Sequence, residues 1–491
     1  MKFSHWMLDQ QVLVAPGGPD VDVAEVTCDS REVLPGWAFV ALPGDHADGA
    51  AFLPAALDRG AVAILSDREL AVPPGVASAR LGDGRRTMAL LARRLYGEPD
   101  AHLALIGVTG TNGKTTTTTL IRQLLRLSGV GCGQIGTVVN AAGDQEAAAV
   151  RTTPESPSFY RWLSRSVAAG DAASAVEVSS HSLVLDRVHG ARFKVGVFTN
   201  LTQDHLDFHP GMEAYFQAKA GLFKQCERTL ANADDPFGQR LLAETPGCLG
   251  YALDHPADYR ATELTLTPTG TTFRLTAKGA AWEVASPLLG RFNATNLLAA
   301  LAALAEGGFQ LDALLPALKG LTGAPGRVDR VDCGQPFGVM VDYAHTPDAL
   351  DKLLAEGKRL LPAGGRLHVL FGCGGDRDAR KRPLMAQAVA AGADVIWHTS
   401  DNTRTEDPEK ILTEAAAGIP AAILGDPARY HRIADRAQAV AQAVAACRPG
   451  DLLLLAGKGH EPYQDVQGVK HPYSDRGAAE TALRALGKGG R

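Results

Sequence analysis

No apolar run in the sequence approaches the roughly 20 residues that cross a bilayer, and residues 1–10 carry no long apolar segment of the kind that directs export. Membrane insertion is therefore not expected, and the default is a soluble cytoplasmic protein. Cysteine is sparse: seven residues, at positions 28, 132, 226, 248, 333, 373 and 447, with no pair in Cys-x-x-Cys spacing. An odd number in that pattern argues against a disulfide framework or a structural zinc site and fits a reducing compartment. Charge of one sign is not in excess either, with 49 Lys and Arg against 54 Asp and Glu, a net charge of −5 spread along the chain. A nucleic-acid binder would need a basic stripe to neutralise phosphates, so no nucleic acid is expected as a partner. Small anionic ligands stay open, because a few local donors suffice to hold them. Internal repeats and low-complexity tails are also missing.

What is present is the material of a multi-domain α/β protein. Hydrophobic residues make up 45% of 491 positions, enough for substantial cores. At about 100–200 residues per domain, two to four domains are expected. Residues 1–100 hold short apolar segments at 38–42 and 61–65 broken by Pro and Gly. They read as a small α/β unit ending in a linker-like Tyr96-Gly97-Glu98-Pro99-Asp100. Residues 101–325 begin with an apolar strand at 103–108, a Gly-rich loop and a helix at 115–128. Buried-strand patterns follow at 175–178 and 195–199, then an Ala/Leu-rich helix at 293–306. Strands alternating with helices predict a parallel sheet. Residues 326–491 show strands at 338–341, 367–371, 395–398 and 452–455 and a helix at 383–391, a second open α/β sheet. In such sheets ligands sit beyond the carboxyl ends of strands, where the loops after Phe371, Thr399 and Leu455 fall.

The segment richest in chemistry is Gly107-Val108-Thr109-Gly110-Thr111-Asn112-Gly113-Lys114-Thr115-Thr116. A strand feeds a Gly-rich turn that opens a helix, so backbone N–H groups approach an anion closely and the helix N-terminus favours it. On this pattern Gly110, Thr111, Asn112, Gly113 and Thr116 surround phosphates, Lys114 reaches the β/γ-phosphates and the Thr115 hydroxyl sits on Mg²⁺. The strict pattern has Gly five positions before Gly113, where this chain has Val108, so the loop is a variant. Glu177 ends a strand pattern, which turns its carboxylate to the same sheet edge. Mg²⁺ prefers oxygen ligands and relies on one or two carboxylates plus phosphates. Other candidates have plain local readings. His205, in Asp204-His205-Leu206-Asp207, reads as a capping or core histidine, and Lys219, in the segment from Tyr215 to Phe223, as a surface lysine on an amphipathic helix. Asn293, Thr295 and Asn296 read as helix caps, Asp342 as a structural strand end, and Ser30, Thr152, Thr153 and Ser179 as turn or cap residues.

Gly-Thr-Asn-Gly-Lys-Thr-Thr resembles the ATP loop of the Mur ligases and of their relative folylpolyglutamate synthase, and the likeness extends over nearly the whole chain. It implies an α/β fold of three domains: a small UDP-binding domain at 1–100, a central P-loop ATPase domain with a parallel sheet at 101–325, and a Rossmann-like domain at 326–491. Asp29-Ser30-Arg31 and the segment from Gly44 to Gly49 are similar to the family's uridine-binding segments, which implies Ser30, His46 and Ala47 at the UDP end. Thr152, Thr153, Ser179 and Arg187 match residues that grip a muramoyl dipeptide, with Leu185 standing where the family often has Gln. The resemblance also implies that His205 joins Thr115 and Glu177 as a Mg²⁺ ligand, and that Lys219 is converted by CO₂ to N6-carboxylysine. A carbamate would present anionic oxygens where a bare ammonium would repel the metal. Asn293 and Asn296 are implied near the adenine and phosphates, Arg327 on the γ-phosphate, and Asp342, Tyr343 and His345 at the ribose and base. The implied catalytic set is Lys114, Lys219 and Arg327. Because Lys114 and Arg327 fall in different regions, closure is expected to gate catalysis.

The loops Gly372-Cys373-Gly374-Gly375-Asp376-Arg377-Asp378, Asp401-Asn402-Thr403-Arg404 and Gly457-Lys458-Gly459-His460-Glu461 resemble the amino-acid pocket of the family's diaminopimelate-adding members. The residues so implied are Arg377, Asp401, Asn402, Thr403, Arg404, Gly457 and Glu461, with Thr403 in place of the usual Pro. The residue types suit the ligand: an Arg fork holds a carboxylate bidentately, which fits Arg404 with Arg377 as a second cation, and Glu461 suits the distal ammonium. The function implied is ATP-dependent ligation of meso-2,6-diaminopimelate to the D-glutamate γ-carboxylate of UDP-N-acetylmuramoyl-L-alanyl-D-glutamate through an acyl phosphate, in peptidoglycan precursor synthesis. ATP would be co-substrate and Mg²⁺ cofactor, with only small molecules as partners of a monomer. A lysine-adding ligase stays open but would not need Arg404, and a folylpolyglutamate synthase would not need the uridine-type first domain. A non-ligase P-loop ATPase acting as a switch would hydrolyse ATP without a UDP-sugar.

Overall fold

A computed structural model describes residues 1–7, 12–44, 47–206, 208–267 and 270–489. The chain forms two compact units: Met1–Leu264 with Thr272–Ser286 and Ala294–Leu321, and Thr265–Thr271 with Pro287–Asn293 and Thr322–Arg491. Among the described residues no helix is long and apolar enough to cross a membrane.

In the first unit, the N-terminal region is a five-stranded sheet. Glu25–Thr27, Trp37–Ala41, Ala63–Ser66 and Ala77–Leu81 run parallel, and Val12–Gly17 closes the edge antiparallel to the last of them. The stretch read as a linker is folded instead. Pro99–Ala101 makes a 3-10 turn, and Asp100 is buried, 2.9 Å from Arg93 and accepting from the Arg192 amide at 3.1 Å.

The central sheet has eleven strands. Its middle is parallel: Phe193–Phe198, Ala104–Thr109, Ala173–Glu177 and Cys132–Ile135 lie side by side in that order. These strands are buried on both faces, as a sheet covered by helices on each side requires. Observed bounds fall within two residues of the sequence patterns, and the helix Lys114–Leu127 begins one residue before the expected 115. Register fixes the chemistry: Glu177 and Val197 both lie opposite Val108. Three strands therefore release their chains at one level, next to the Gly-rich loop. Gly107 allows that packing, since a Cβ there would lie 2.8 Å from the Phe193 ring. Both flanks of the sheet were unanticipated. One is the antiparallel pair Val139–Ala142 and Gln145–Ala148, and the other comprises Tyr259–Thr267, Gly270–Ala277 and Ala280–Ser286.

The second unit carries a six-stranded sheet whose inner order is Gly338–Asp342, Leu452–Ala456, Leu367–Phe371, Val395–His398, all parallel. The expected strands at 367–371 and 395–398 coincide with the observed ones. Alternation along Leu452–Ala456 splits the core: Leu452 and Leu454 pack with Leu350, Leu354 and Val389, whereas Leu453 and Leu455 pack with Val440, Val444 and Leu483. Helices on both faces explain why these strands read as continuous apolar runs.

His398 ends one of these strands fully buried, stacked on the Phe371 ring at 4.8 Å with Nδ1 2.9 Å from the Tyr430 hydroxyl. Burial, aided by Arg432, pushes its imidazole down to about 3 from 6.5. Between those pH values the unfolded chain binds a proton that the folded chain refuses, so stability falls as pH drops, by up to about 1.4 kcal/mol per pH unit. Urea melts of His398→Phe are expected to show a shallower loss of unfolding free energy between about pH 6 and pH 4 than the parent. An unchanged slope would remove His398 from the account of acid lability.

Candidate active site

The Gly-rich loop leaves its strand at Thr109 in the conformation the residues predict. Gly110 and Gly113 have φ of 145° and 89°, and a Cβ at Gly110 would lie 1.9 Å from Thr199 Oγ1. Residues 199–202 clamp the loop. The Thr199 hydroxyl donates to the Asn112 carbonyl at 2.6 Å, Asn200 Oδ1 accepts from the Asn112 amide at 3.0 Å, and the Thr111 amide donates to the Asn200 carbonyl at 2.9 Å. Asn296 also reaches the loop, its Oδ1 lying 2.5 Å from where a Gly113 Cβ would be. Asn293, three residues earlier, donates instead to the Leu289 carbonyl at 2.8 Å. Thr116 is buried on the first helical turn.

Thr115 and Glu177 are in direct contact. The Thr115 hydroxyl donates to Glu177 Oε2 at 2.9 Å, and the fully buried carboxylate also accepts from the Thr137 amide at 2.8 Å and the Thr137 hydroxyl at 3.0 Å. A Cβ at Gly136 would lie 2.4 Å from Glu177 Oε1, so the close approach needs glycine there.

Lys219 corrects its local reading as a surface residue. The helix Met212–Ala220 turns it inward to 1% exposure. Its Nζ donates to the Gly110 carbonyl at 2.8 Å and lies 4.6 Å from the Tyr215 ring centroid. Lys114 Nζ donates to that same Gly110 carbonyl at 2.8 Å, and to the Thr111 carbonyl at 2.9 Å. Burial, with the neighbouring Lys114 ammonium adding to it and Asp204 opposing, holds the Lys219 amine well below the ordinary lysine range. His205 approaches through rings, edge-on to Tyr215 at 6.2 Å and to His181 at 4.9 Å, in a left-handed backbone conformation at φ 53°. No three His, Cys, Asp or Glu side chains group as a ligand set among the described residues. The expected metal set contains only Glu177 and His205 of those types.

Beside this cluster lie the residues expected to grip the acceptor. The Thr153 hydroxyl donates to the Glu177 carbonyl at 2.7 Å and accepts from the Ser179 amide at 3.1 Å. Thr152 Oγ1 is 3.1 Å from Thr137 Oγ1, and Ser179 caps the helix Ser180–Val184 through the Ser182 amide at 3.1 Å. Arg187 donates to the Thr153 carbonyl at 3.2 Å and pairs with Glu155 at 2.9 Å, while its buried Nε has no partner. Glu155 also binds Arg85 and Arg151, so three guanidiniums share one carboxylate. In the first region Ser30 is buried in a turn beside the Asp29–Arg31 pair, and the Ala47 carbonyl accepts from the Gly44 amide at 3.0 Å. His46 lies outside the described residues.

In the second unit Arg327 stacks 4.6 Å over the Tyr343 ring with a buried, unpartnered Nε. Asp342 accepts from the Val328 and Ala344 amides, both at 2.8 Å, and so fixes the backbone that carries Arg327. Burial pushes the Asp342 carboxyl up, opposed by Arg327 and those amides. His345 Nδ1 lies 2.8 Å from the Tyr343 carbonyl, and the His460 ring packs against the Tyr343 ring at 5.4 Å.

The three loops expected to hold an amino acid are joined to one another. Arg404, at φ 48°, donates from Nη1 to the Gly375 carbonyl at 2.6 Å; its Nε and Nη2 form no hydrogen bond with described residues. Gly375 abuts the Thr403 carbonyl, 2.0 Å from where a Cβ would sit. The hairpin Tyr463–Val466 and Val469–Pro472 straps the Asp401–Arg404 loop. The Arg404 amide donates to the Asp465 carbonyl at 3.0 Å, the Gln467 amide to the Arg404 carbonyl at 2.6 Å, and the Gln464 side chain to the Asp401 carbonyl at 3.0 Å. Those bonds supply the rigidity that Thr403, in place of Pro, does not. Arg382, buried, donates to Glu406 at 2.6 Å and to the Gly374 carbonyl at 3.2 Å, bracing two of the loops. Gly457 is held by its amide on the Asp342 carbonyl at 3.0 Å, and Glu461 accepts from Asn402 Nδ2 at 2.8 Å. Arg377 is exposed on the neighbouring loop and bonds to no described residue.

Thr137, Thr199, Tyr215 and Arg382 were not anticipated as parts of the site. Each has a partner distant in sequence, Glu177 for Thr137, Asn112 for Thr199, the Thr111 hydroxyl 3.3 Å from that of Tyr215, and Glu406 for Arg382, and no local pattern marks them.

Three family models match in chain order. They are the Mur ligase family catalytic domain at residues 22–92, the Mur ligase middle domain at 108–304, and the Mur ligase glutamate ligase domain at 326–459. The chain belongs to the Mur ligase family. This Mur ligase is 44% identical over 478 residues to the UDP-N-acetylmuramoyl-L-alanyl-D-glutamate–2,6-diaminopimelate ligase of Geobacillus thermodenitrificans, covering 95% of this chain and 96% of that protein. It is 43% identical over 490 residues to the protein of the same name from Streptomyces coelicolor, covering 97% and 96%. A solved structure of a UDP-N-acetylmuramoyl-L-alanyl-D-glutamate–2,6-diaminopimelate ligase superposes with a TM-score of 0.70 at 36% identity, covering 99% of this Mur ligase and all of that chain. The fold is accordingly the three-domain α/β fold of the family.

Proposed function

We propose that this Mur ligase joins meso-2,6-diaminopimelate to the D-glutamate γ-carboxylate of UDP-N-acetylmuramoyl-L-alanyl-D-glutamate, with ATP as co-substrate, in peptidoglycan precursor synthesis. The observation that carries the reading is identity of 43–44% spread over nearly the whole chain to ligases bearing that name. The Arg404 loop supports it, because an open guanidinium fork suits a second carboxylate.

The loop amides from Gly110 to Thr116 and the Lys114 ammonium hold the β- and γ-phosphates and spread the charge that moves during transfer. A γ-carboxylate oxygen of the dipeptide attacks the γ-phosphorus, ADP leaves, and an acyl phosphate forms. The amine of the amino acid adds to the acyl carbon, the C–O bond to phosphorus breaks, and inorganic phosphate departs with one former carboxylate oxygen while the amine loses a proton. Arg327, Asn293, Asn296, Asp342, Tyr343 and His345 are assigned to the nucleotide. Ser30, His46, Ala47, Thr152, Thr153, Ser179 and Arg187 are assigned to the UDP-dipeptide. The domain limits that go with this are 1–100, 101–325 and 326–491, in a cytoplasmic monomer.

Thr115, Glu177, His205 and Lys219 would hold Mg²⁺. The contact between Thr115 and Glu177 suits a hard cation. Lys219 fits only in modified form: its buried amine, beside Lys114, is poised to be neutral, and a neutral amine adds to CO₂ to give an N-carboxylate and a released proton. When bound, Mg²⁺ neutralises charge on the phosphates.

The assay supplies the UDP-dipeptide, ATP and either diaminopimelate or lysine. An amide product and phosphate in equal amounts are expected with diaminopimelate and far less with lysine. Equal use of the two amino acids would defeat the specificity, and ATP hydrolysis without amide would defeat the reading.

A further inference from the structure

We infer that Lys458 is a positioning residue that sets the charge and hydrogen-bond polarity of the amino-acid pocket, and through them its preference for a distal end bearing both an ammonium and a carboxylate. The inference rests on the diaminopimelate reading above. Lysine is almost never fully buried unless paired, and the Lys458 side chain is 0% exposed. Its ammonium has three protons and meets three acceptors: Asn402 Oδ1 at 2.8 Å, Glu461 Oε2 at 3.0 Å and Asp401 Oδ1 at 3.5 Å.

The consequence for Asn402 is orientation. Its Oδ1 also accepts from the Asp465 amide at 2.9 Å, so oxygen must face Lys458 and Nδ2 must face Glu461, to which it donates at 2.8 Å. Glu461 Oε2 thus receives two donors, while Oε1 has no hydrogen bond from described residues. One oxygen is pinned and the other is presented.

The consequence for charge is selectivity. Asp401 and Glu461 bring two negative charges and Lys458 one positive, a net −1. Arg436 does not alter that balance, because Asp475 matches it at 2.7 Å with both side chains fully buried. Burial pushes the Asp401 carboxyl up, yet Lys458 and then Arg436 outweigh it and hold it below the usual range, so it stays ionised. A net −1 accepts one ammonium without strongly repelling a carboxylate that Arg404 binds. Without Lys458 the net charge becomes −2, which opposes the ligand's distal carboxylate and favours a distal end that is purely cationic. Diaminopimelate has a distal end of zero net charge and lysine one of +1.

The test measures kcat/KM for both amino acids, and KM for ATP, on the full-length chain. Lys458→Met is expected to lower kcat/KM for diaminopimelate about 10²-fold, chiefly through KM for the amino acid, and to lower the diaminopimelate-to-lysine ratio at least about tenfold. KM for ATP stays within about twofold, which a general loss of structure would not allow. Lys458→Met combined with Asp401→Asn returns the cluster to −1 and is expected to raise the ratio at least about threefold above that of Lys458→Met, whatever activity Asp401→Asn itself removes. If Lys458→Met does not fold, Lys458→Gln replaces it in both comparisons with the same expected changes. A double variant whose ratio stays as low as that of the single variant overturns the inference. A single variant with an unchanged ratio overturns it as well. A parent enzyme that does not ligate diaminopimelate overturns the reading of function itself, whereas a parent that does, with an unmoved variant ratio, overturns only the role of Lys458.

Discussion

Replacing Lys219 with alanine is expected to lower kcat for ligation about 10³-fold while the protein still folds, and formate or acetate added to that variant is expected to restore part of the loss. The structure makes Lys219 an unusual lysine. Its amine is almost fully buried, shares the Gly110 carbonyl with Lys114, and is held far below the ordinary range by burial and then by Lys114. An ammonium there would add a second positive charge against the phosphate loop without a carboxylate bonded to it. Addition of CO₂ would turn the group into an anion suited to a bound cation. Alanine would remove that anion and leave space for a small carboxylate to enter. Lys114→Ala, which removes a cation from the phosphate site, is the control that carboxylates should not rescue. Intact-protein mass spectra under CO₂ should show one added CO₂, lost with Lys219→Ala. A parent protein without the adduct and a variant indifferent to formate would together refute the carbamate.

Arg404→Ala is expected to lower the diaminopimelate-to-lysine ratio of kcat/KM about 10²-fold, the effect of about 3 kcal/mol from one charge-assisted bidentate contact. Arg404 Nη1 is tied to the Gly375 carbonyl and its amide and carbonyl to the hairpin, which leaves Nε and Nη2 to present a fork. Holding the guanidinium at both backbone and side chain reduces what must be ordered on binding. Arg404→Lys should not recover the ratio, since an ammonium cannot reproduce the planar fork. A ratio unchanged in both variants would place the selective cation elsewhere, with Arg377 as the next residue to replace.

Much of the fold could be read from the chain because parallel strands buried on both faces leave continuous apolar runs. The strands Leu367–Phe371 and Val395–His398 coincide with their patterns for that reason. The flanks of the central sheet were missed. Gly270–Ala277 does alternate, with Thr271, Phe273, Leu275 and Ala277 buried, but its other face is polar, so it leaves no continuous apolar run. In the site, the shape of the Gly-rich loop was legible because its determinants are local: strand, glycines, lysine and helix are contiguous. Glu177 was legible because a strand end sets its direction. Burial of Lys219 was not, since its helix has no clear apolar face to show which side turns inward, and the Gly110 carbonyl that receives it lies 109 positions away. Lys458 stood within a recognised loop, yet its role appears only when Asn402, 56 positions earlier, is brought against it.

The central claim is that the acceptor carboxylate is activated by phosphorylation before the amine attacks. It is tested most directly with UDP-N-acetylmuramoyl-L-alanyl-D-glutamate labelled with ¹⁸O in the γ-carboxylate, turned over with ATP and diaminopimelate. One labelled oxygen is expected in each inorganic phosphate released. Phosphate free of label, with amide formed, would contradict an acyl phosphate and the mechanism built on it.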